Sequence, residues 1–298
     1  MPDEALSLPM LMDSLQTLIL ADAGGTSTDW AVISEGNVWR LKTQGLNPAT
    51  MSSDVLESRL EEAVTAIQEH GFAGPADMCF YGAGCRGNAV TEMEQLLREK
   101  FSGIRLQKVC VESDMVGAAR AVLGERAGIV CIMGTGSNSC LWEGGRIVAQ
   151  VAAGGFILGD EGSGASMGRQ LLSDFIKNLL PEDVAPVFRA TYPSLSYDEI
   201  VENVYRSRTP QRYLASFAQF LIDNCDLEGV KHLVKNELDR FFSRVVAQYN
   251  RSALPVCFVG GAAAAFGKEL RAVAKEKGFA VGELLQNPIE GLVRQALG

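Results

Sequence analysis

The chain has 298 residues, of which 47% are hydrophobic and 21% are charged, and its formal net charge is −9 at pH 7. These values are typical of a globular protein with one large domain or two of ordinary size. The acidic balance and the lack of a basic cluster argue against a nucleic-acid partner and against binding to an anionic membrane.

The sequence shows no pattern typical of membrane insertion, secretion, disulfide bonding or zinc binding. No apolar run is long enough to span a bilayer, and the first basic residue is Arg40, so we expect a cytoplasmic protein without a signal peptide. The seven cysteines are scattered and contain no Cys-x-x-Cys pair, which is typical of reduced, mostly buried thiols. With only two histidines in the chain, a zinc site is not expected.

The first ordered pattern is an apolar run that ends in a glycine–threonine turn. Residues 1–17 show no period and are expected to form a flexible extension. Leu18–Ala21 then lead into Asp22–Thr28, and Glu35–Asn37 mark a reversal. A strand, a tight turn and a returning strand predict a β-hairpin whose N–H groups and hydroxyls can hold an anion.

Alternating strands and helices follow, which is typical of the α/β class. The patterns predict a helix at Ser52–Gly71, a strand at Ala76–Tyr81, a helix at Asn88–Phe101, a strand at Ile104–Val111 and a helix at Asp114–Leu123.

A second hairpin repeats the first. Ile129–Met133 run into Gly134–Asn138, and Glu143–Gly145 reverse the chain. Two such turns can hold the phosphates of one nucleotide from two sides, so the sequence predicts phosphoryl transfer. Splitting the chain near residue 115 gives halves that begin alike, which indicates a duplication inferred from pattern.

The remaining chain is expected to be helical from Gly164 to about Tyr249. A strand at Val256–Gly260, a helix after Gly267 and a last helix that runs to Leu297 complete the prediction.

Two acids draw attention on chemical grounds. Asp22 follows a buried strand and is suited to orient Mg²⁺ through water. Asp114 opens a helix after the cap candidate Ser113, so it is either a helix-stabilising acid or a proton acceptor.

These turns resemble those of the sugar kinase/heat-shock ATPase/actin superfamily. Asp22–Thr28 resembles its first phosphate-binding turn and Gly134–Asn138 its second. Gly154–Ser163 and Val259–Ala262 match further motifs in family order. The chain is most similar to the N-acetylglucosamine kinases and to the adjoining BadF/BadG/BcrA/BcrD ATPases, which are related to the activators of benzoyl-CoA reductase and 2-hydroxyacyl-CoA dehydratase.

The resemblance implies a two-domain, actin-like ATPase (ribonuclease H-like) α/β fold with an interdomain nucleotide cleft. The first domain is expected at 18–115, with the C-terminal helix 288–298 packing back on it. The second domain is expected at 116–287, with a helical insertion at 164–250.

It also implies roles for individual residues. The ATP phosphates are expected at Gly24, Gly25, Thr26, Thr28, Gly134, Thr135, Gly136 and Ser137. Adenosine is expected at Gly260, Gly261 and Ala262. The sugar is expected at Asn47, Gly84, Asn138, Gly155, Phe156 and Asp160, although Phe156 stands where some relatives have Trp. Asp114 matches the catalytic aspartate, and Asp22 is the expected metal residue.

The expected function is ATP- and Mg²⁺-dependent phosphorylation of an amino sugar such as N-acetylglucosamine, glucosamine or N-acetylmuramic acid. A homodimer is compatible with the resemblance. Two alternatives stay open: an ATPase that activates a dehydratase or reductase, and a non-catalytic sugar or nucleotide sensor. The activator alternative is disfavoured because Cys85 has no second cysteine at a matching spacing for an iron–sulfur cluster.

The segment Gly82–Gly87 satisfies the dinucleotide motif G-x-G-x-x-G, and Glu112 ends the next predicted strand. A nicotinamide enzyme would leave both hairpins unexplained, so this alternative is disfavoured. The resemblance instead uses the turn as part of the sugar pocket.

Overall fold

The computed structural model describes residues 17–72 and 74–298. Of the predicted flexible extension, only Thr17 lies within the described residues, and it begins the first strand. The chain forms two compact units. Unit 1 comprises the chain up to Arg126 together with Gly144–Arg146 and Asn287–Gly298, and unit 2 comprises Ala127–Glu143 and Ile147–Gln286.

The described chain contains ten strands. They are β1 (Thr17–Ala23), β2 (Ser27–Ser34), β3 (Asn37–Gln44), β4 (Ala76–Gly82), β5 (Leu106–Ser113), β6 (Gly128–Met133), β7 (Ser137–Glu143), β8 (Arg146–Ala149), β9 (Val256–Val259) and β10 (Val281–Leu285).

The helices alternate with these strands in unit 1 and cluster between β8 and β9 in unit 2. They are α1 (Ser53–Glu69), α2 (Asn88–Lys100), α3 (Asp114–Leu123), α4 (Gly155–Leu158), α5 (Gly164–Ile176), α6 (Ala185–Thr191), α7 (Tyr197–Tyr205), α8 (Pro210–Ser216), α9 (Ala218–Asp223), α10 (Glu228–Arg244), α11 (Gly261–Ala265), α12 (Gly267–Glu276) and α13 (Pro288–Leu297). Among the described residues, no helix has the length and apolar content that crossing a membrane requires.

Unit 1 is built on a five-stranded mixed sheet in the order β3-β2-β1-β4-β5. Strand β1 is antiparallel to β2 and parallel to β4, and β4 is parallel to β5. Helix α1 follows the predicted period, because Leu56, Leu60, Val64 and Ile67 are all buried in one core with the sheet. The apolar face of α1 therefore packs into the hydrophobic core that lies on one face of the unit 1 sheet.

Helices α3 and α13 pack against each other and against β1. Ser113 caps α3, since its hydroxyl accepts a hydrogen bond from the Val116 N–H at 3.4 Å. A Cβ at Gly117 would lie 2.6 Å from the Tyr81 Cβ, so the glycine lets α3 approach β4 closely. Because α3 belongs to unit 1, the units divide at 126/127, eleven residues beyond the expected 115/116 boundary.

Unit 2 repeats the topology of unit 1. Its sheet has the order β8-β7-β6-β9-β10, so β6 takes the place of β1, β9 that of β4 and β10 that of β5. As in unit 1, the central strand β6 is antiparallel to the next strand β7 and parallel to β9. The duplication inferred from the sequence pattern is therefore present in the strand order.

Helices α5 to α10 occupy the expected insertion and bury an apolar core rich in aromatic side chains. The phenylalanines Phe188, Phe220, Phe241, Phe242 and Phe258 are all at most 2% exposed. Such residues contribute much of the apolar area that a unit buries. The insertion thus forms one continuous core with the sheet of unit 2.

Candidate functional site

The carboxyl ends of three parallel strands meet at one edge of the unit 1 sheet. Ala23 of β1 pairs with Gly82 of β4, and Gly82 pairs with Ser113 of β5. In open α/β sheets, ligands bind at the carboxyl ends of the strands. The predicted residues Asp22 and Asp114 therefore lie at the edge where a ligand is expected.

The first predicted phosphate-binding turn, Asp22–Thr28, is closed by two backbone hydrogen bonds. The Gly24 N–H donates to the Ser27 carbonyl at 2.9 Å, and the Gly45 N–H donates to the Thr26 carbonyl at 3.0 Å. Gly25 and Thr26 are exposed at its tip. Thr28 is buried and its hydroxyl donates to the Gln44 carbonyl at 3.1 Å, so this hydroxyl has a partner inside the hairpin.

Asp22 and Asp114 influence each other electrostatically. Burial, followed by the charges of Asp114 and Asp29, raises the pKa of Asp22 to about 7, and Lys42 opposes this rise. Burial also raises the pKa of Asp114, while the Met115 N–H and Arg86 counteract part of that effect. The Met115 N–H donates to Asp114 Oδ1 at 2.9 Å. The edge thus concentrates negative charge in a poorly solvated place.

This charge fits a magnesium ion. Mg²⁺ binds oxygen ligands and usually takes one or two carboxylates, with water and substrate phosphates completing its shell. Among the described residues, no cluster of three or more His, Cys, Asp or Glu side chains can hold a metal ion. Asp22 is the predicted metal residue at this edge, and its carboxylate oxygens are ligands of the kind that Mg²⁺ binds.

Two predicted sugar residues meet beside this turn. A Cβ at Gly84, where φ is +83°, would overlap the Asn47 Oδ1. Asn47 Oδ1 also accepts a hydrogen bond from the Ala49 N–H at 3.0 Å, so the Asn47 side chain stabilises a local turn. A Cβ at Gly25 would lie 4.0 Å from the Asn47 Nδ2. Asn47 therefore lies between the first phosphate turn and the turn that contains Gly84.

Sequence reasoning did not single out Arg86 for this site. Arg86 is exposed, and its charge acts on Asp114. The buried Cys85 thiol has a pKa raised to about 12 by burial and by Asp114. Arg86 lies within the Gly82–Gly87 pattern, which is typical of a dinucleotide-binding turn and gives no sign of a charge that acts on Asp114.

In unit 2, the second phosphate-binding turn is fixed by the start of α5. The Gly164 and Ala165 N–H groups donate to the Gly134 and Thr135 carbonyls at 2.8 and 3.1 Å, and the Gly134 N–H donates to the Gly136 carbonyl at 2.9 Å. Across residues 17–72 and 74–298, the N–H groups of Thr135 and Gly136 have no hydrogen-bond partner. Adjacent N–H groups of this kind can bind an anion.

Ser137 and Asn138 are engaged within unit 2. The buried Ser137 hydroxyl donates to the Glu161 carbonyl at 2.9 Å, so it is occupied where a phosphate contact was predicted. Asn138 Oδ1 accepts from the Ser139 N–H at 2.9 Å and from Gln150 Nε2 at 3.2 Å. The Asn138 amide oxygen thus has two hydrogen-bond donors from the protein, one of them in β7.

Asp160 lies against the second phosphate turn. It is 4% exposed and has a φ of +54°. Its Oδ1 accepts from the Ser137 N–H at 3.3 Å and its Oδ2 from Gln211 Nε2 at 3.0 Å. Burial raises the pKa of Asp160, and the Ser137 N–H counteracts part of this rise. The structure therefore joins a predicted sugar residue directly to a predicted phosphate turn, and a glutamine that the sequence did not indicate holds the other carboxylate oxygen.

The loop before Asp160 contains two further predicted sugar residues. Gly155 is exposed with a φ of +69°. The partly buried Phe156 packs against the core of unit 2, and its carbonyl accepts from Arg169 Nη1 at 3.2 Å.

The predicted adenosine turn lies beside the second phosphate turn. Gly260 follows β9 with a φ of +122°, and a Cβ there would overlap the Met133 carbonyl. The Gly260 N–H donates to the Leu285 carbonyl at 2.9 Å, and α11 begins at Gly261. Only glycine fits this backbone conformation and this close approach to β6.

Comparison with known proteins agrees with this arrangement. The profile of the BadF/BadG/BcrA/BcrD ATPase family matches residues 21–293. The chain belongs to this ATPase family. The resemblance inferred from the turns is thereby confirmed. A comparison with curated protein sequences found no match.

This member of the ATPase family is similar in fold to solved structures of sugar kinases. A proposed N-acetylglucosamine kinase from Porphyromonas gingivalis is 37% identical, with a TM-score of 0.85, and the match covers 93% of this chain and 98% of that one. A second proposed N-acetylglucosamine kinase, from Chromobacterium violaceum, is 17% identical with a TM-score of 0.68, covering 95% and 99%.

A glucokinase of the ROK family from Streptomyces griseus, solved with glucose and AMPPNP, is 15% identical with a TM-score of 0.58, covering 94% and 98%. The predicted two-domain, actin-like ATPase fold of the α/β class is confirmed. Although Gly82–Gly87 does lie between β4 and α2, its sheet is mixed and the chain is an ATPase family member, so the nicotinamide alternative is not retained.

Proposed function

We propose that this protein is an ATP- and Mg²⁺-dependent kinase of an amino sugar, N-acetylglucosamine or a close relative. The observation that supports it most is the meeting of Asp22, Asp114, Asn47 and Gly84 around the carboxyl edge of the unit 1 sheet. The 37% identity to a proposed N-acetylglucosamine kinase supports the choice of substrate class.

The phosphate turn of each unit, taken by itself, is assigned to ATP phosphate. The N–H groups of Thr135 and Gly136 are suited to phosphate oxygens, because they have no partner in the described chain. The exposed tip at Gly25 and Thr26 offers a second set of contacts. We place adenosine at Gly260–Ala262, next to the second turn, and assign Asp22 to orient the hydrated Mg²⁺, which supplies charge neutralisation of the phosphates.

Asp114 would act as the general base. Its carboxylate accepts the proton of the attacking sugar hydroxyl while that oxygen bonds to the γ-phosphorus and the bond from the γ-phosphorus to the bridging oxygen of ADP breaks. Burial makes the carboxylate more basic than a solvated one, and Arg86 keeps its pKa from rising further. Burial thus favours proton acceptance by Asp114, and Arg86 counteracts part of this effect.

The sugar would contact Asn47 and Asp160. The Asn47 side-chain nitrogen is a hydrogen-bond donor for a hydroxyl or acyl oxygen. Asp160 accepts two hydrogen bonds from the protein, whereas a carboxylate has about four acceptor positions, so it can still accept from sugar hydroxyls. Gly155, Phe156 and Asn138 of unit 2 remain proposed sugar contacts.

The test is a screen of amino sugars with Mg²⁺ and ATP that follows both ADP release and phosphosugar formation. Formation of one phosphosugar in stoichiometric amount with ADP is the expected result. An activating ATPase would release ADP without any phosphosugar, and a sensor would bind ligands and release neither. Asp114→Asn serves as the control, since it should remove turnover and leave ligand binding.

A further inference from the structure

We infer that Gln211 is a positioning residue, which holds Asp160 against the second phosphate-binding turn and thereby sets the geometry of the turn for ATP. The inference rests on the proposed function, because it requires that this turn bind nucleotide phosphate. Gln211 lies on α8, within the helical insertion and 51 residues after Asp160.

The contacts form one chain of hydrogen bonds within unit 2. Gln211 Nε2 donates to Asp160 Oδ2 at 3.0 Å, and the Ser137 N–H donates to Asp160 Oδ1 at 3.3 Å. One carboxylate therefore joins α8 to the first residue of β7. The two N–H groups without a protein partner, those of Thr135 and Gly136, directly precede that residue.

Packing shows that this pair lies directly against the turn. A Cβ at Gly136 would lie 2.9 Å from both Asp160 Oδ2 and Gln211 Nε2, which is closer than carbon and polar atoms approach without a shift. The Asp160–Gln211 pair thus occupies the space that any larger residue at position 136 would need. The glycine and the pair are complementary, so the backbone of the turn rests on the pair.

The Asp160 backbone has its own hydrogen bonds, because its N–H donates to the Ala153 carbonyl at 2.9 Å and its carbonyl accepts from the Ser163 N–H at 3.1 Å. The side-chain contacts therefore fix the carboxylate alone. The hydrogen bond from Ser137 is long at 3.3 Å, whereas that from Gln211 is of ordinary length. Without the Gln211 amide, the carboxylate can rotate away from Ser137 or recruit water. The turn would stay anchored to α5, but the Thr135 and Gly136 N–H groups would lose one of the contacts that fix their direction.

Helix α8 is anchored independently of this amide. A Cβ at Gly168 of α5 would overlap the Leu214 carbonyl of α8, and the Leu214 side chain is 3% exposed. The backbone of α8 is therefore seated closely on α5. Replacing the Gln211 amide should leave α8 in place, so a loss of nucleotide affinity would not arise from a misplaced helix.

The experiment measures the dissociation constant of Mg²⁺–AMPPNP by calorimetry for the wild type, Gln211→Leu and Gln211→Glu. Gln219→Leu is the matched control, because Gln219 is exposed and its Nε2 donates to Asp223 Oδ1 at 2.7 Å within α9. We expect Gln211→Leu to weaken binding about tenfold, the range for a lost hydrogen bond to a charged group. Gln211→Glu should weaken it more, since it places a second carboxylate beside Asp160, and Gln219→Leu should bind like the wild type.

A double-mutant cycle separates positioning from general structure. In the Asp160→Asn background, Gln211→Leu should cause less than a twofold further change, because the residue through which it acts has lost its charge. Equal melting temperatures for Gln211→Leu and Gln219→Leu would show that folding is unaffected. Additive effects of the two substitutions, or wild-type affinity in Gln211→Leu, would overturn the inference.

Failure of the positioning role can be distinguished from failure of the proposed kinase activity. If the wild type binds AMPPNP but phosphorylates no sugar, the proposed function fails while the affinities of the Gln211 variants still test the positioning role. If the wild type phosphorylates a sugar and Gln211→Leu binds AMPPNP normally, only the positioning role fails. Absence of nucleotide binding by the wild type would overturn both.

Discussion

Substituting alanine for Gly84 tests whether Asn47 lies at the sugar site. Gly84 has a φ of +83°, and an added Cβ would overlap the Asn47 Oδ1 and lie 2.8 Å from the Ala49 Cβ. The segment that contains Asn47 must therefore move away. If Asn47 contacts the sugar, Gly84→Ala should raise the KM for the sugar and change the KM for ATP much less.

The magnitude follows from the local structure. Forcing a residue with a Cβ into the left-handed region costs about 1–2 kcal/mol. Displacing Asn47 also removes its hydrogen bond from the Ala49 N–H, which contributes about 1 kcal/mol. A total near 2–3 kcal/mol corresponds to a fall in melting temperature of roughly 5–10 °C for a unit of this size. Loss of one sugar contact worth about 1.4 kcal/mol would raise the sugar KM about tenfold.

Gly87→Ala is the matched control for this experiment. Gly87 belongs to the same turn and also has a positive φ of +55°, but a Cβ there meets no atom within 4 Å. It therefore reports backbone strain without displacing Asn47. Steady-state kinetics with both substrates varied, together with thermal unfolding, would compare the two variants. Equal sugar KM values in Gly84→Ala and Gly87→Ala would refute the placement of Asn47 at the sugar.

Four further predictions concern the charged edge of unit 1. Asp114→Asn should lower kcat by roughly two to four orders of magnitude while the sugar KM changes little. An unchanged kcat would show that Asp114 only stabilises the start of its helix. Without metal, the free energy of unfolding should fall as the pH rises from about 4 through 7, because Asp22 keeps a proton in the folded state that it has released in the unfolded chain. The melting temperature of Asp22→Asn should depend less on pH over this range. Asp22→Asn should also lose most Mg²⁺–ATP turnover while staying folded, and near-normal turnover would exclude it from the metal site. Arg86→Met should raise the pKa of Asp114 and move the acidic limb of the kcat–pH profile to higher pH. Arg98→Met, which breaks an exposed ion pair with Glu94 and a hydrogen bond to the Gln107 carbonyl, should leave the profile unchanged.

Local patterns predicted much of the fold. Helix α1 followed from apolar residues on one face, and the start of α3 at Asp114 followed from its cap at Ser113. Strand β10 was not predicted, because Val281–Leu285 are all half-buried and include Gly282 and Glu283, so the segment has neither alternation nor a fully apolar run.

The candidate site was harder to predict, because its decisive contacts join distant parts of the chain. The Thr28 and Ser137 hydroxyls were predicted to face phosphate, yet carbonyls 16 and 24 residues further along the chain accept their hydrogen bonds. Residue type alone indicates that a hydroxyl can donate, but not which acceptor it finds. The Gln211–Asp160 contact leaves no local signal either, since nothing in the sequence of α8 distinguishes Gln211 from a surface residue.

The packing of α13 has a consequence for the order in which this protein folds during synthesis. Gly291 lets α13 lie close to the Ala121 carbonyl of α3, Arg294 donates to the same carbonyl at 3.1 Å, and Glu290 pairs with Arg40 of β3 at 2.7 Å. Unit 1 thus combines the earliest described strands with the last helix, whereas unit 2 is drawn from the middle of the chain. On the ribosome, unit 2 can therefore become complete while unit 1 still waits for its final helix. Pulse-labelled proteolysis of nascent chains would detect this as earlier protection of unit 2.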